Sequence, residues 1–360
     1  MELIDILRKN YIDNLRILCI LFLFPYHTFM MYNNFGESFY VFNKPVNLLS
    51  DFIMINWTWL MPLMFVLAGI SSCCALKKRN AKEYTKERVM RLLIPLVFGI
   101  LLLVPIQTYF AEKYHNNYTG GYFKQYIMFF TKKTDLTGYT GGFTPGQLWF
   151  IFYLFVISMI ALPIMLKHNK ISIKLYSKKL TMVTIIPLFI IPLLMQLILD
   201  FGGKSLGEYF ALFLIGFVVL SQDEVIDKLE KNRWWLACFA VSFLAIKYFL
   251  AKNYTDNIYI LYGISDELAM WVCVLAFLGL GKRYLNTNNK FTNYFSKASF
   301  SIYVFHQSIL IAVAYYVFKI TDFIFIQVVL IIALSFIITI LTCEIAKRIS
   351  LTRFMFGIKK

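Results

Sequence analysis

Apolar runs of about twenty residues recur along this chain of 360 residues, and that recurrence leaves few folds open. A run of that length crosses the hydrocarbon core of a bilayer as a helix. The strands of a membrane barrel would be about half as long and alternate in polarity, which these runs do not. The composition agrees: 59% of residues are hydrophobic and 16% are charged. A typical soluble domain carries about 25% charged residues. A cytosolic enzyme, a disordered chain and a secreted disulfide-framed mini-protein are thereby excluded. The expected fold class is all-α, a polytopic integral protein of the cell (plasma or inner) membrane.

Ten apolar segments can be drawn, at approximately 14–35, 52–75, 92–110, 147–166, 182–200, 207–221, 234–251, 265–281, 299–318 and 323–345. The sixth is short for a bilayer, so the fifth and sixth are read either as two spans or as one re-entrant hairpin. Basic residues gather in alternate connections: Arg8 and Lys9, Lys77 to Arg91, Lys167 to Lys179, Lys228 to Arg233, Lys282 to Lys297 and Lys347 to Lys360. They outnumber those of the intervening connections about three to one, which predicts ten spans with both termini cytoplasmic. The longest outer connection, 111–145, is rich in Tyr, Gly and Thr. Its aromatic stretch Tyr122 to Phe130 is suited to lie flat at the interface.

The net charge of +16 would suggest nucleic acid in a soluble protein. Here it is the expected surplus of cytoplasmic loops, so membrane lipids and not nucleic acid are the predicted partners. Cys19, Cys73, Cys74, Cys238, Cys273 and Cys343 fall in or beside apolar runs without metal-ligand spacing, which predicts neither disulfides nor a metal site. The first apolar run lacks a small-residue cleavage pattern and is read as a retained helix. A single membrane domain over 1–360 is expected, with no fused soluble domain.

Ionisable residues inside spans are expensive and mark candidate sites. The first segment carries Arg16 and His27, eleven residues apart. At about 100° per residue they face the same way, about 16 Å apart along the axis. Pro25 is expected to kink the helix beside His27, and Asp13 is the natural partner of Arg16. Arg88 and Arg91, one α-helical turn apart, begin the third segment. Their planar forks suit phosphate, although a plain positive-inside cap has the same composition. His306 lies about two turns into the ninth segment, with Tyr303 on its face. His115 and His168 fall in predicted loops and are given no role. Asp200, Glu208, Asp266 and Glu267, at the outer ends of segments five to eight, could line a sugar or cation entrance, but solvated helix ends are the preferred reading. No nucleophile elbow, Walker motif or zinc-type HExxH is present. Histidine with arginine suits acyl transfer: the imidazole takes a hydroxyl proton, and the guanidinium groups hold the phosphates of a carrier such as coenzyme A.

Six stretches, in order, carry a family resemblance. They are Tyr11-Ile12-Asp13-Asn14-Leu15-Arg16 with His27-Thr28 ten residues on, Met61 to Gly69, Arg88-x-x-Arg91 with Leu92-Leu93-Ile94-Pro95, Gly146-Gln147-Leu148-Trp149-Phe150, Ser301 to His306, and Arg353 to Gly357. The chain resembles the acyltransferase type 3 family of integral membrane acyltransferases, whose members include enzymes acetylating or succinylating surface polysaccharides and periplasmic glucans. Gln147 stands where the family commonly has histidine. Either a proton-transfer role is lost there, or the histidine only orients a ligand by hydrogen bonding and Gln substitutes; the second reading is preferred.

The resemblance implies ten core helices, a cytoplasmic acyl-CoA donor used as substrate with no permanently bound cofactor, and a glycan or other hydroxyl-bearing acceptor at the outer face. It implies His27 and His306 as catalytic residues and Arg16, Arg88 and Arg91 as donor-binding residues. Asp13, Gln147, Trp149 and Tyr303 would be supporting or substrate-positioning residues. Without a fused hydrolase-like domain the chain would act alone or with a partner in glycan assembly. The alternative reading is a transporter or flippase relaying protons through the same histidines. No inverted repeat or matched pair of broken helices favours it.

Overall fold

A computed structural model describes residues 9–36, 38–170 and 180–358. Of the basic residues above, Arg8, Lys174, Lys178, Lys179, Lys359 and Lys360 lie outside them. Among the described residues the chain is 78% helical, without strands. The helices are α1 (Asn10–Met30), α2 (Asn47–Leu76), α3 (Ala81–His115), α4 (Tyr122–Thr131), α5 (Trp149–Lys170), α6 (Met182–Met195), α7 (Leu206–Val218), α8 (Asp223–Lys231), α9 (Arg233–Lys252), α10 (Tyr259–Tyr284), α11 (Lys290–Ile320), α12 (Ile324–Arg348) and α13 (Ser350–Met355).

Among the described residues α2, α3, α5, α9, α10, α11 and α12 are long and apolar enough to cross a membrane. The pair α7 and α8, bent by 100°, makes an eighth if taken as one span. The chain is an all-α, multi-pass membrane protein. Where ten spans are expected from the sequence, seven or eight meet the length and apolarity a crossing needs. The first segment is a 21-residue helix containing Asp13, Arg16, Pro25 and His27, and it ends at Met30 rather than near 35. The fifth is broken by a 3-10 turn at Ile186–Phe189, where Pro187 cannot donate to a helical ladder. The sixth has 13 residues. These two are joined by a turn with Leu199, Gly202 and Gly203 at positive φ.

The third helix begins a full eleven residues before the predicted 92. A capping box starts it: Glu83 N donates to Asn80 Oδ1 at 2.9 Å, and Asn80 N to Glu83 Oε2 at 3.1 Å. It is not uniform, because Val89–Leu93 forms a π-helical turn, closed by Ile94 N–H donating to Val89 O. Pro95 follows at the start of the next α-helical stretch. Lacking an N–H, it cannot bond the carbonyl four residues back, and the widened turn accommodates its ring.

The chain divides into two compact units, one of residues 1–19, 54–86 and 156–293, the other of 20–53, 87–155 and 294–360. In the first unit, α2 and α7 approach so closely that a Cβ on Gly69 would meet Phe213 O at 2.1 Å and one on Gly216 would meet Val66 O at 2.5 Å. Small residues at a helix contact allow this tight apolar packing, and Phe65 stacks on Tyr209 beside it. The start of α1 is pinned to the end of α10 by Asn14 Nδ2, which donates to Leu285 O and Thr287 O.

In the second unit, the rest of α1 and α3 pack with the start of α5, α11 and α12. A Cβ on Gly99 would meet Leu148 Cδ1 at 2.5 Å. The predicted outer loop 111–145 contains the aromatic helix α4, anchored by the buried Gln125. Its amide donates to Thr108 Oγ1 at 3.0 Å and Gly141 O at 3.1 Å.

Candidate active site: a histidine pair

In the second unit α1 presents His27 one turn from its end, and α11 presents His306 at mid-length. Their ring centroids are 5.3 Å apart. His306 is fully buried. Its Nδ1–H donates to Tyr303 O at 2.6 Å, a bond back along its own helix. Its Nε2 has no hydrogen-bond partner, and neither has Nδ1 of His27. Each ring therefore keeps one nitrogen available for proton transfer. Phe24 sits edge-on to His306 at 5.9 Å and shields it.

A polar network holds α11 in place beside the pair. Gln107 Nε2 of α3 donates to Gln147 Oε1 at 2.6 Å and to Ser308 Oγ at 2.8 Å. Gln147 Nε2 donates to Val304 O at 3.1 Å, and Gln307 Nε2 donates to Gln107 Oε1. The buried Tyr303 hydroxyl donates to the backbone carbonyl of Gln147. Both ends of the Gln147 amide are thus engaged with protein. Tyr303 thus has its hydroxyl tied to Gln147 and its carbonyl tied to His306. Trp149 packs edge-on against Tyr153 at 5.4 Å.

The arginines are placed differently from one another. Arg88 and Arg91 belong to this second unit; Arg88 immediately precedes the π-turn and Arg91 lies within it, so they are not stacked one α-turn apart as their spacing predicts. Arg91 pairs with Glu87 at 3.1 Å. Arg16 belongs to the first unit. There its Nη1 pairs with Asp13 Oδ1 at 2.9 Å and its Nη2 donates to Ser71 Oγ at 2.8 Å.

The sequence reading missed Phe39, which lies over His27. Phe39 stacks on the His27 ring at 6.0 Å with an interplanar angle of 16°. His115, given no role above, donates from Nε2 to Phe39 O at 2.7 Å, and the Tyr114 hydroxyl donates to Phe42 O. Tyr139 of the long connection touches both Phe39 and Tyr40. Phe39 is buried although its segment is polar (Asn33, Asn34, Gly36), and that polarity hides it from a search for apolar runs. Gln107 was equally hidden inside an apolar run.

The reading of Glu267 as a solvated helix end is corrected: it is 7% exposed, because α10 begins at Tyr259 and carries it inside the unit. His168 lies on α5, not in a loop.

A buried imidazole with an unshared nitrogen, gripped by its own helix and facing a second imidazole, is arranged to move protons at a reacting hydroxyl or thioester. Residues 9–344 match the acyltransferase domain of the acyltransferase type 3 family. That match covers nearly the whole chain, and the chain belongs to this family: it is a membrane acyltransferase. No curated protein and no solved structure matches it.

Proposed function

We propose that the enzyme moves an acetyl- or succinyl-type group from cytoplasmic acyl-CoA to a hydroxyl of a glycan or other acceptor at the outer face of the cell membrane, with both of its termini cytoplasmic. The observation that carries this reading is the His27–His306 pair, with one unpartnered nitrogen on each ring. One imidazole takes the proton of the acceptor hydroxyl as its oxygen attacks the thioester carbonyl. The carbon–sulfur bond breaks as the tetrahedral intermediate collapses, and the thiolate of coenzyme A takes the proton back from the imidazolium. Alternatively His27 carries the acyl group briefly, and the acceptor then displaces it. Phe39 over His27 keeps water from intercepting the acyl group.

Arg88 and Arg91 bind the donor phosphates in this reading. Along α3, Arg88 and Arg91 stand about 28 Å and about 24 Å from Gln107, which belongs to the network beside the histidines. That separation suits a donor with a long arm between its phosphates and its reacting carbonyl. Arg16 is the third donor-binding residue proposed, oriented by Asp13. Trp149 positions substrate.

The test is acyl-CoA binding and release of free coenzyme A by purified protein in nanodiscs, wild type beside His27→Ala. The expected result is that both bind and only the wild type releases coenzyme A. Equal turnover by the two proteins removes His27 from the chemistry, and absence of acyl-CoA binding removes the donor assignment.

A further inference from the structure

A chain of side-chain amides in the second unit ends on an atom that the proposed transfer leaves unused. It starts from two backbone carbonyls, which can only accept. Val304 O accepts from Gln147 Nε2 at 3.1 Å, so the other end of that amide, Oε1, accepts from Gln107 Nε2 at 2.6 Å. Leu103 O accepts from the Ser308 hydroxyl at 2.9 Å, which leaves Ser308 Oγ a lone pair for Gln107 Nε2, 2.8 Å away. Two anchors thus fix which way the Gln107 amide points. Gln307 Nε2 donates to Gln107 Oε1 at 3.2 Å, which orients the last amide as well. Its Oε1 is left over: it is buried, on a residue 4% exposed, and has no hydrogen-bond partner. A buried carbonyl oxygen without a donor is costly, and most such atoms in folded proteins have one.

The leftover acceptor belongs to the neighbourhood of the histidine pair. Gln307 follows His306 on α11, and Nε2 of His306 is likewise without a partner. A Cβ on Gly146 would lie 3.4 Å from both Gln107 Oε1 and the Tyr40 hydroxyl. The Tyr40 ring packs edge-on against Phe39, and Phe39 covers His27. The amide chain and the cover over His27 therefore come together at Gly146. We propose that Gln307 Oε1 accepts a hydrogen bond from the amide N–H of the donor that lies nearest its thioester, and so holds the reacting carbonyl at the imidazoles. The inference rests on the acyl-CoA reading above and deepens it. In a coenzyme A thioester only two methylene groups separate the sulfur from that N–H, so a group that binds it must stand close to the catalytic imidazoles, as Gln307 does. An amide N–H only donates and a carbonyl oxygen only accepts, so the two are matched. The reacting hydroxyl of the acceptor is matched instead by an imidazole nitrogen. Gln107, which orients Gln307, lies on α3, the helix that also bears Arg88 and Arg91.

The full chain in nanodiscs is titrated with acetyl-CoA and with the analogue in which that one amide is an ester, which keeps the length of the arm and loses the N–H. Wild type and Gln307→Met are compared. The expected result is that wild type binds the amide about tenfold more tightly than the ester. In Gln307→Met the two Kd values should be nearly equal, because a thioether is at most a weak acceptor. The readout is the ratio of the two, which general damage to the fold does not move, since it weakens both donors alike. Equal Kd values in wild type, or the same preference for the amide in both proteins, overturns the proposal. If Gln307→Met does not fold, Gln307→Leu is read against the same outcomes. Donors that bind equally well remove this proposal alone, whereas absence of binding by either donor removes the acyl-CoA reading and this proposal with it.

Discussion

His306 donates its Nδ1–H to the carbonyl of Tyr303, one turn back on the same helix, at 2.6 Å. A carbonyl only accepts, so the neutral ring carries its proton on Nδ1 and its lone pair on Nε2. Removing either imidazole should lower kcat by about 10²–10⁴-fold with acyl-CoA affinity nearly unchanged. Because the two rings act together, the double variant His27→Ala/His306→Ala should be little worse than the more damaged single one. Single-turnover transfer by the three proteins checks this, and multiplicative losses would mean that the rings work independently.

Arg88 and Arg91 should act on donor binding rather than on chemistry. Arg88→Ala and Arg91→Ala should each raise the KM for acyl-CoA by about tenfold or more, as loss of a charge-assisted phosphate contact does. Against an acyl-pantetheine lacking the nucleotide and its phosphates, wild type and variants should be equal. A deficit that persists with the short donor would assign these residues to the structure of the π-turn instead.

Gln147 should matter mainly for stability. Its amide joins Gln107 of α3 to the Val304 carbonyl of α11, all in buried surroundings. Gln147→Ala strands both partners, at a cost of about 1–3 kcal/mol each at most. A lowered unfolding midpoint with kcat reduced only in proportion to the folded fraction is expected. A large kcat loss in fully folded protein would show that Gln147 touches substrate.

Phe39 should keep water out. Phe39→Ala should increase release of free coenzyme A in the absence of acceptor several-fold, while transfer in its presence falls. His115→Ala, which only loosens the backbone of Phe39, should move both rates in the same directions by less. Parallel hydrolysis and transfer assays distinguish this from general damage, which would lower both.

Much of this site is legible in sequence because the bilayer makes polar residues conspicuous. His27 and His306 stand out in apolar runs, and the Asp13–Arg16 pair follows from helical spacing. What stays hidden is whatever depends on distant parts of the chain meeting. Gln107 and Ser308 look like isolated polar residues until α3 and α11 pack together. Phe39 is one aromatic residue in a polar connection. Glu267 sits at a helix end in the sequence, and only the fold shows that it is enclosed, as Lys247 within its span is. Among the described residues, the first segment's helix carries Asp13, Arg16 and His27, and the fifth is broken at Pro187, so neither is among the long apolar helices.

The wide turn at Val89–Leu93 also sets the phase of everything after it on α3. A π-turn is in effect one residue inserted into an α-helix, turning the downstream side chains by about 100° relative to an unbroken helix. Gln107 and Thr108, which bond Gln147 and Gln125, lie downstream of that rotation. A deletion of a single residue within 89–93 would let the helix close into regular α geometry, and would swing Gln107 out of its bonds without altering any residue that it touches.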